Sequence, residues 1–148
     1  MTIIGVGNVM RGDDGVGILA VRRLRERLPE ARIMESSGDL GDILGAMEGE
    51  DALILIDAVR CPAAPGTVHR IDAHAGQFPT NLFRTSSHAV GVAEAMELAR
   101  AIGQLPGHLV FYGIAGAQFA PGDSISAAVR RGLTEVVARV VDEVHRHA

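Results

Sequence analysis

The sequence contains no lysine, and all fourteen of its basic residues are arginine. A chain without lysine cannot form a Schiff base, use the lysine of a phosphate-binding P-loop or hydrolyse substrates with a Ser-Lys pair. The only cysteine is Cys61, which excludes an internal disulfide and a cysteine-rich zinc site. Several common enzyme mechanisms are therefore excluded before any motif is considered.

The chain also lacks an excess of positive charge and a long apolar segment. Its formal net charge is −4 at pH 7, so it has no basic surface to neutralise nucleic-acid phosphates, and we expect no nucleic-acid partner. No apolar run approaches the roughly 20 residues that cross a bilayer, so we expect no membrane partner. The first apolar run has the length of a strand, so we expect no signal peptide. Together with the single cysteine, these features predict a cytoplasmic protein.

The 148 residues have the length of one domain, which we expect to span residues 1–148. Apolar, β-branched runs predict five strands at residues 2–6, 31–34, 52–56, 67–71 and 108–114. Apolar residues at helical spacing predict helices at 18–28, 39–47, 92–99 and 129–144, the last behind the candidate caps Ser124 and Ser126. Residues 74–85 predict a loop. This alternation predicts an α/β fold with a mostly parallel sheet and helices on both faces.

The functional crevice of an open α/β sheet lies beyond the carboxyl ends of its strands. There Gly5 and Gly7 begin like a dinucleotide-binding loop, but Met10 stands where the third glycine is needed. The adjacent Asp13 and Asp14 would repel a pyrophosphate, so a cation is the better ligand. Helix capping is an alternative role that accounts for one aspartate, which leaves the other free to face the crevice.

Two further residues offer metal ligands. Four apolar residues precede Asp57, and because a charge is not expected inside such a strand, Asp57 is predicted at its end. Ser86, Ser87 and His88 open a later helix, whose dipole favours the neutral imidazole that binds metals. Alternatively, Asp57 is a turn or capping residue and His88 an ordinary surface histidine. Together, Asp14, Asp57 and His88 form an O,O,N set that suits Ni²⁺ or Zn²⁺ with open coordination positions.

Cys61 offers a different chemistry. Its thiol could act as a nucleophile with His88 as base, although a lone thiol after a strand more often serves packing. The remaining five histidines are interpreted as structural or solvated residues: His69, His74, His108, His145 and His147.

Five short motifs are spread over nearly the whole chain. They are GVGN at 5–8, DDGVG at 13–17, DAV at 57–59, SSH at 86–88 and YGI at 112–114. Any one of them would be weak alone. In this combination and spacing, the sequence resembles the hydrogenase maturation endopeptidases.

The resemblance implies a single α/β domain with a twisted five-stranded sheet. It also implies an endopeptidase that removes the C-terminal extension of a nickel-loaded precursor of a nickel-iron hydrogenase large subunit. By this resemblance the metal ligands, and with them the catalytic residues, are Asp14, Asp57 and His88. The nickel is then supplied by the precursor, and we expect zinc or cadmium to be able to occupy the empty site. Our hypothesis for cleavage is a metal-polarised carbonyl or metal-bound water, assisted by Asp14 or Asp57.

Two other functions are compatible with the sequence. One is a nickel-sensing maturation chaperone that keeps the fold without peptidase activity. The other is a small cytosolic thiol hydrolase that uses Cys61, for which nickel would be irrelevant.

Overall fold

The computed structural model describes residues 1–75 and 89–147 of the chain. In chain order the elements are β1 (Thr2–Val6), a short 3-10 helix (Gly12–Gly15), α1 (Val16–Arg27), β2 (Arg32–Ser36), α2 (Leu40–Met47), β3 (Ala52–Val59), β4 (Val68–Asp72), α3 (Ala89–Ala101), β5 (His108–Ala115) and α4 (Ala127–His147).

The five strands form one sheet in the order β2-β1-β3-β5-β4. All neighbouring pairs are parallel except β4 with β5, which is antiparallel. The inner strands β1 and β3 are buried along their whole length, as expected for parallel strands covered on both faces. The prediction of a mostly parallel five-stranded α/β fold is confirmed.

Two apolar clusters cover the two faces of the sheet. On one face, α2 and α3 pack through residues such as Ile43 and Met96. On the other face, α1 and α4 pack through residues such as Leu24 and Val136. Among the described residues, no helix is long and apolar enough to cross a membrane.

Of the two predicted caps of the last helix, Ser126 is confirmed and Ser124 is not, and α2 has a cap that was not predicted. Asp39 caps α2, since its side chain accepts a hydrogen bond from the Asp42 amide at 3.2 Å. At the start of α4 the Ser126 hydroxyl accepts from the Val129 amide at 3.4 Å. Ser124 lies outside that turn, and its backbone oxygen accepts a hydrogen bond from the side-chain amide of Gln118. From residue 76 onward, the predicted loop lies outside the described residues, as do Ser86, Ser87 and His88.

The bounds of four strands differ from their predictions, that of β5 by a single residue at its end. β2 and β4 are displaced towards the C-terminus, and β3 continues to Val59, three residues beyond the predicted end. β1 pairs with β3 only as far as Ile56, whereas β5 pairs with it through Asp57 and Ala58 to Val59. The expectation that Asp57 ends its strand is therefore wrong. It lies inside β3, immediately beyond the point where the neighbouring β1 stops.

Candidate functional site

The glycines after β1 let helix and strands approach closely. Gly7 has a φ of +147°, and a Cβ atom there would overlap the carbonyl oxygen of Asp14. A Cβ atom on Gly17 would overlap the carbonyl oxygens of Val6 and Ile56. The start of α1 thus lies directly on the end of β1 and on β3 at Ile56. Close packing accounts for these glycines without a bound nucleotide.

Asp13 holds the loop between β1 and α1. Its side chain is fully buried. Its Oδ2 atom accepts hydrogen bonds from the amides of Ala117 at 2.8 Å and Gln118 at 3.0 Å, and its Oδ1 accepts one from the Ser126 amide at 2.7 Å. The interpretation that one aspartate of the pair holds structure is confirmed. The helix end that it contacts is that of α4, however, and not that of α1.

Asp14 and Asp57 are also buried, with exposed fractions of 6% and 0%. Burial raises the pKa of Asp57 well above its ordinary value, and the nearby charge of Asp14 raises it further, while the Ala58 amide opposes both effects. Within the described part of the chain, both carboxylate oxygens of Asp57 lack a well-formed hydrogen bond. The two carboxylates therefore lie close enough for their charges to interact in a shared, poorly solvated space.

The chain topology explains why these two acids meet. From β1 the chain crosses through α1 to β2 on one side, and from β2 it returns through α2 to β3 on the other side of β1. Such a reversal opens a crevice at the carboxyl ends of the two strands. Asp14 follows β1 and Asp57 lies in β3, so both belong to the crevice at this reversal.

A divalent cation suits this carboxylate pair. Two buried carboxylates repel each other and lack the solvation that water would give, and a cation between them relieves both penalties. Within residues 1–75 and 89–147, no three histidine, cysteine, aspartate or glutamate side chains are grouped to hold a metal. The third predicted ligand, His88, lies outside the described residues. The assignment of Asp14, Asp57 and His88 as ligands and catalytic residues thus stays a prediction.

Cys61 lies beside a histidine that the sequence did not single out as its partner. Its sulfur lies 3.8 Å from Nε2 of His69, and the half-buried side chain packs against the core on the α2 and α3 face. The predicted base, His88, lies outside the described residues. Only the antiparallel pairing of β4 with β5 brings His69 to this position, where it is opposite Gly113.

Three other histidines have structural contacts, as predicted. Nε2 of His74 lies 2.7 Å from the carbonyl oxygen of Pro106. The ring of His108 stacks on that of His147 with centroids 4.5 Å apart. His108 begins β5, so this stack lies at the opposite end of the sheet from the crevice.

The segment after β5 contacts the loop after β1 in ways that the sequence did not indicate. The Arg11 guanidinium donates to the carbonyl oxygen of Phe119 at 3.3 Å, and the guanidinium of Arg60 lies 4.4 Å from the centre of the Phe119 ring. Met10, whose carbonyl oxygen accepts from the Gly122 amide, is 70% exposed. Two guanidinium groups and backbone hydrogen bonds thus join the segment after β5 to this part of the molecule.

The sequence model of the HycI hydrogenase maturation protease family matches residues 19–143 of this chain. The chain belongs to this family. Hydrogenase 2 maturation protease of Escherichia coli K12 is 29% identical over 145 residues, which are 92% of this chain and 87% of that relative. The hydrogenase expression/formation protein HupM of Azotobacter chroococcum is 30% identical over 141 residues, 92% of this chain and 67% of that relative.

Solved structures of hydrogenase maturation proteases share the fold. The hydrogenase maturating endopeptidase HybD from E. coli matches with a TM-score of 0.85 and 25% identity, over 99% of this chain and 93% of that one. The [NiFe] hydrogenase maturation protease HybD from Thermococcus kodakarensis has a TM-score of 0.76 at 24% identity, over 97% of each chain. The predictions of the family, of the fold and of a peptidase acting in hydrogenase maturation are confirmed.

Proposed function

We propose that this hydrogenase maturation protease removes the C-terminal extension of a nickel-loaded precursor of a nickel-iron hydrogenase large subunit, in the cytoplasm. Asp14, Asp57 and His88 bind the nickel that the precursor carries. The observation that supports this proposal best is the buried carboxylate pair, in which the charge of Asp14 raises the pKa of the desolvated Asp57. Such a pair is unfavourable alone and favourable around a cation.

Recognition of the metal follows from the same electrostatics. A metal-free precursor brings no positive charge to the crevice, so its binding leaves the carboxylates repelling each other. A precursor that already holds Ni²⁺ with its own ligands offers open coordination positions, which two carboxylate oxygens and one imidazole nitrogen can fill. In the absence of precursor, we expect zinc or cadmium to occupy the same ligands.

Cleavage requires water to add to the scissile carbonyl carbon, the C–N bond to break and a proton to reach the departing amine. Nickel brought by the substrate polarises the carbonyl or the attacking water. Asp14 or Asp57 assists by accepting the water proton on a carboxylate oxygen that does not bind the metal and passing it to the departing amine.

The test is to incubate the purified protein with nickel-loaded and with metal-free precursor and to measure the mass of the large subunit. We expect release of a single C-terminal peptide from the nickel-loaded precursor and none from the metal-free one. His88→Ala and Asp14→Asn should both block release without unfolding the domain. Asp142→Asn is the matched control, because this exposed acid lies on α4 away from the crevice.

Two outcomes contradict the proposal. Equal cleavage of both precursors would end the nickel-gated mechanism. Binding of nickel-loaded precursor without any cleavage would instead favour the alternative of a nickel-sensing chaperone.

A further inference from the structure

Among residues 1–75 and 89–147, the hydrogen bonds to the Asp13 carboxylate all come from one distant segment of the chain. Besides the three amide hydrogen bonds described above, its Oδ2 accepts a fourth from the Ser126 hydroxyl at 3.1 Å. All four donors belong to residues 117–126, which join β5 to α4. Because Ser126 opens α4, the carboxylate also lies at the positive end of that helix dipole, which stabilises a negative charge.

Backbone hydrogen bonds also join the loop around Asp13 to the segment 117–126. The Asp13 amide donates to the carbonyl oxygen of Gln118 at 2.8 Å, and the Gly122 amide donates to that of Met10 at 2.9 Å. A Cβ atom on Gly116 would lie 3.1 Å from Cβ of Asp13, so the carboxylate fits into a closely packed space. The loop that carries Asp14 thus has little freedom while Asp13 keeps its partners.

The hydrogen bonds of Asp13 also determine the direction of the Asp14 side chain. Both aspartates lie in the short 3-10 helix Gly12–Gly15, where three residues make one turn and adjacent side chains diverge by about 120°. Asp13 therefore points to the segment 117–126, and the buried side chain of Asp14 points in a different direction. A rotation of this turn would move the Asp14 carboxylate out of the crevice.

We propose that Asp13 is a positioning residue for the reaction, which holds Asp14 in the direction needed to bind the substrate's nickel. This inference rests on the proposed function insofar as Asp14 is a metal ligand. It assigns the segment 117–126 and the start of α4 to the support of the site, although neither contributes a ligand.

A carboxylate is needed at position 13 because both of its oxygen atoms accept hydrogen bonds. An asparagine has one oxygen acceptor, and its NH₂ group would face either the Ser126 amide or the amides of Ala117 and Gln118, which are donors themselves. Asp13→Asn therefore keeps the volume of the side chain but loses the hydrogen bonds at one or both of the positions that Oδ1 and Oδ2 occupy. We expect the turn to rotate and the ligand geometry to loosen.

The test measures Cd²⁺ binding to the purified metal-free protein by titration calorimetry, with thermal unfolding recorded for every variant. The variants are Asp13→Asn, Asp14→Asn and the double variant. Asp13→Asn should weaken Cd²⁺ binding by about tenfold or more, the range seen when residues behind metal ligands are replaced. In the Asp14→Asn background, the same change should have no further effect on Cd²⁺ affinity, because Asp13 acts only through Asp14.

A purely structural role would lower the stability and weaken Cd²⁺ binding equally in both backgrounds, and that result would overturn the inference. Wild-type affinity in Asp13→Asn, with loss in Asp14→Asn, would overturn it as well and leave the proposed function intact. Wild-type affinity in Asp14→Asn would remove Asp14 from the ligands, and both proposals would fail. If Asp13→Asn does not fold, Ser126→Ala replaces it, since it removes the 3.1 Å bond to Asp13 and the longer 3.4 Å cap to the Val129 amide but keeps the three amide donors. The same non-additivity is expected.

Discussion

At the scale of single residues, the buried carboxylate of Asp57 lowers the stability of the folded protein and belongs to the proposed metal site. A carboxylate inside a buried strand loses the hydration that it has in the unfolded chain, and the charge of Asp14 adds repulsion. Proteins tolerate such positions where function requires them and are often stabilised when they are removed. The same side chain therefore gives a prediction about stability that is separate from activity.

We expect Asp57→Asn to remove part of the pH dependence of stability in the metal-free protein. The pKa of Asp57 is raised well above 3.8, so folding favours the protonated form. This contribution is fully present below the unfolded pKa and is lost as the pH rises through the raised, folded pKa. Asparagine cannot ionise. The melting temperature of the variant, relative to wild type, should thus increase from acidic to mildly alkaline buffer, and Asp142→Asn should show no such trend. A pH-independent difference would contradict the prediction.

Cys61 provides a second prediction at this scale. Its thiol contacts His69 at 3.8 Å and packs partly into the core, whereas the proposed cleavage uses no thiol nucleophile. Cys61→Ser should therefore leave processing of the nickel-loaded precursor nearly unchanged, as measured by the mass of the large subunit. Cys61→Ala tests whether any effect comes from lost packing. A Cys61→Ser protein that melts like wild type yet cleaves nothing would make the thiol hydrolase the better interpretation.

At the scale of secondary-structure elements, the contact between α1 and the strand ends determines whether the crevice forms. Gly17 of α1 meets the carbonyl oxygens of Val6 and Ile56, the residue before Asp57. Backbone atoms cannot move aside as a side chain can, so the helix itself must shift if this space is filled. The spacing between Asp14 and Asp57 depends on the same contact.

We expect Gly17→Ala to destabilise the protein by about 1 to 3 kcal/mol, the usual cost of overpacking, and to weaken Cd²⁺ binding. The matched control is Gly45→Ala in the exposed part of α2, where an added Cβ atom meets nothing within 4 Å. That change should stabilise the helix by about 0.5 to 1 kcal/mol and leave the metal site unaffected. Chemical denaturation of both variants measures the difference, and equal effects at the two glycines would refute the packing argument.

The elements were predictable from sequence where their cause is local. The apolar runs predicted all five strands, and the helical spacing of apolar residues predicted the helices. Both predictions succeed because the residues that a strand or helix buries recur with the period of that element. The last three residues of β3 were missed because they depend on pairing with β5, which is remote in the chain. The contact of Cys61 with His69 was missed because it depends on the antiparallel direction of β4.

At the scale of the whole molecule, the order of the strands places the candidate site. The motifs around Asp14 and Asp57 were visible in the sequence, and the reversal of the chain between β2 and β3 brings them to one crevice. The role of Asp13 was visible only as a general possibility, because its partners are 104 to 113 residues away. Short-range patterns carry no information about which distant amides will meet a carboxylate.

That separation has a consequence for the synthesis of the enzyme. The ribosome completes β1, α1 and β3, with both carboxylates, long before it produces residues 117–126 and α4. Until then, Asp13 has none of the four donors that fix its turn. We expect unfinished chains to bind a nickel-bearing partner poorly, which ribosome-arrested chains of increasing length can show. The ability to bind the precursor would then appear late in translation. Truncated protease molecules would therefore not sequester the hydrogenase precursors that complete protease molecules must process.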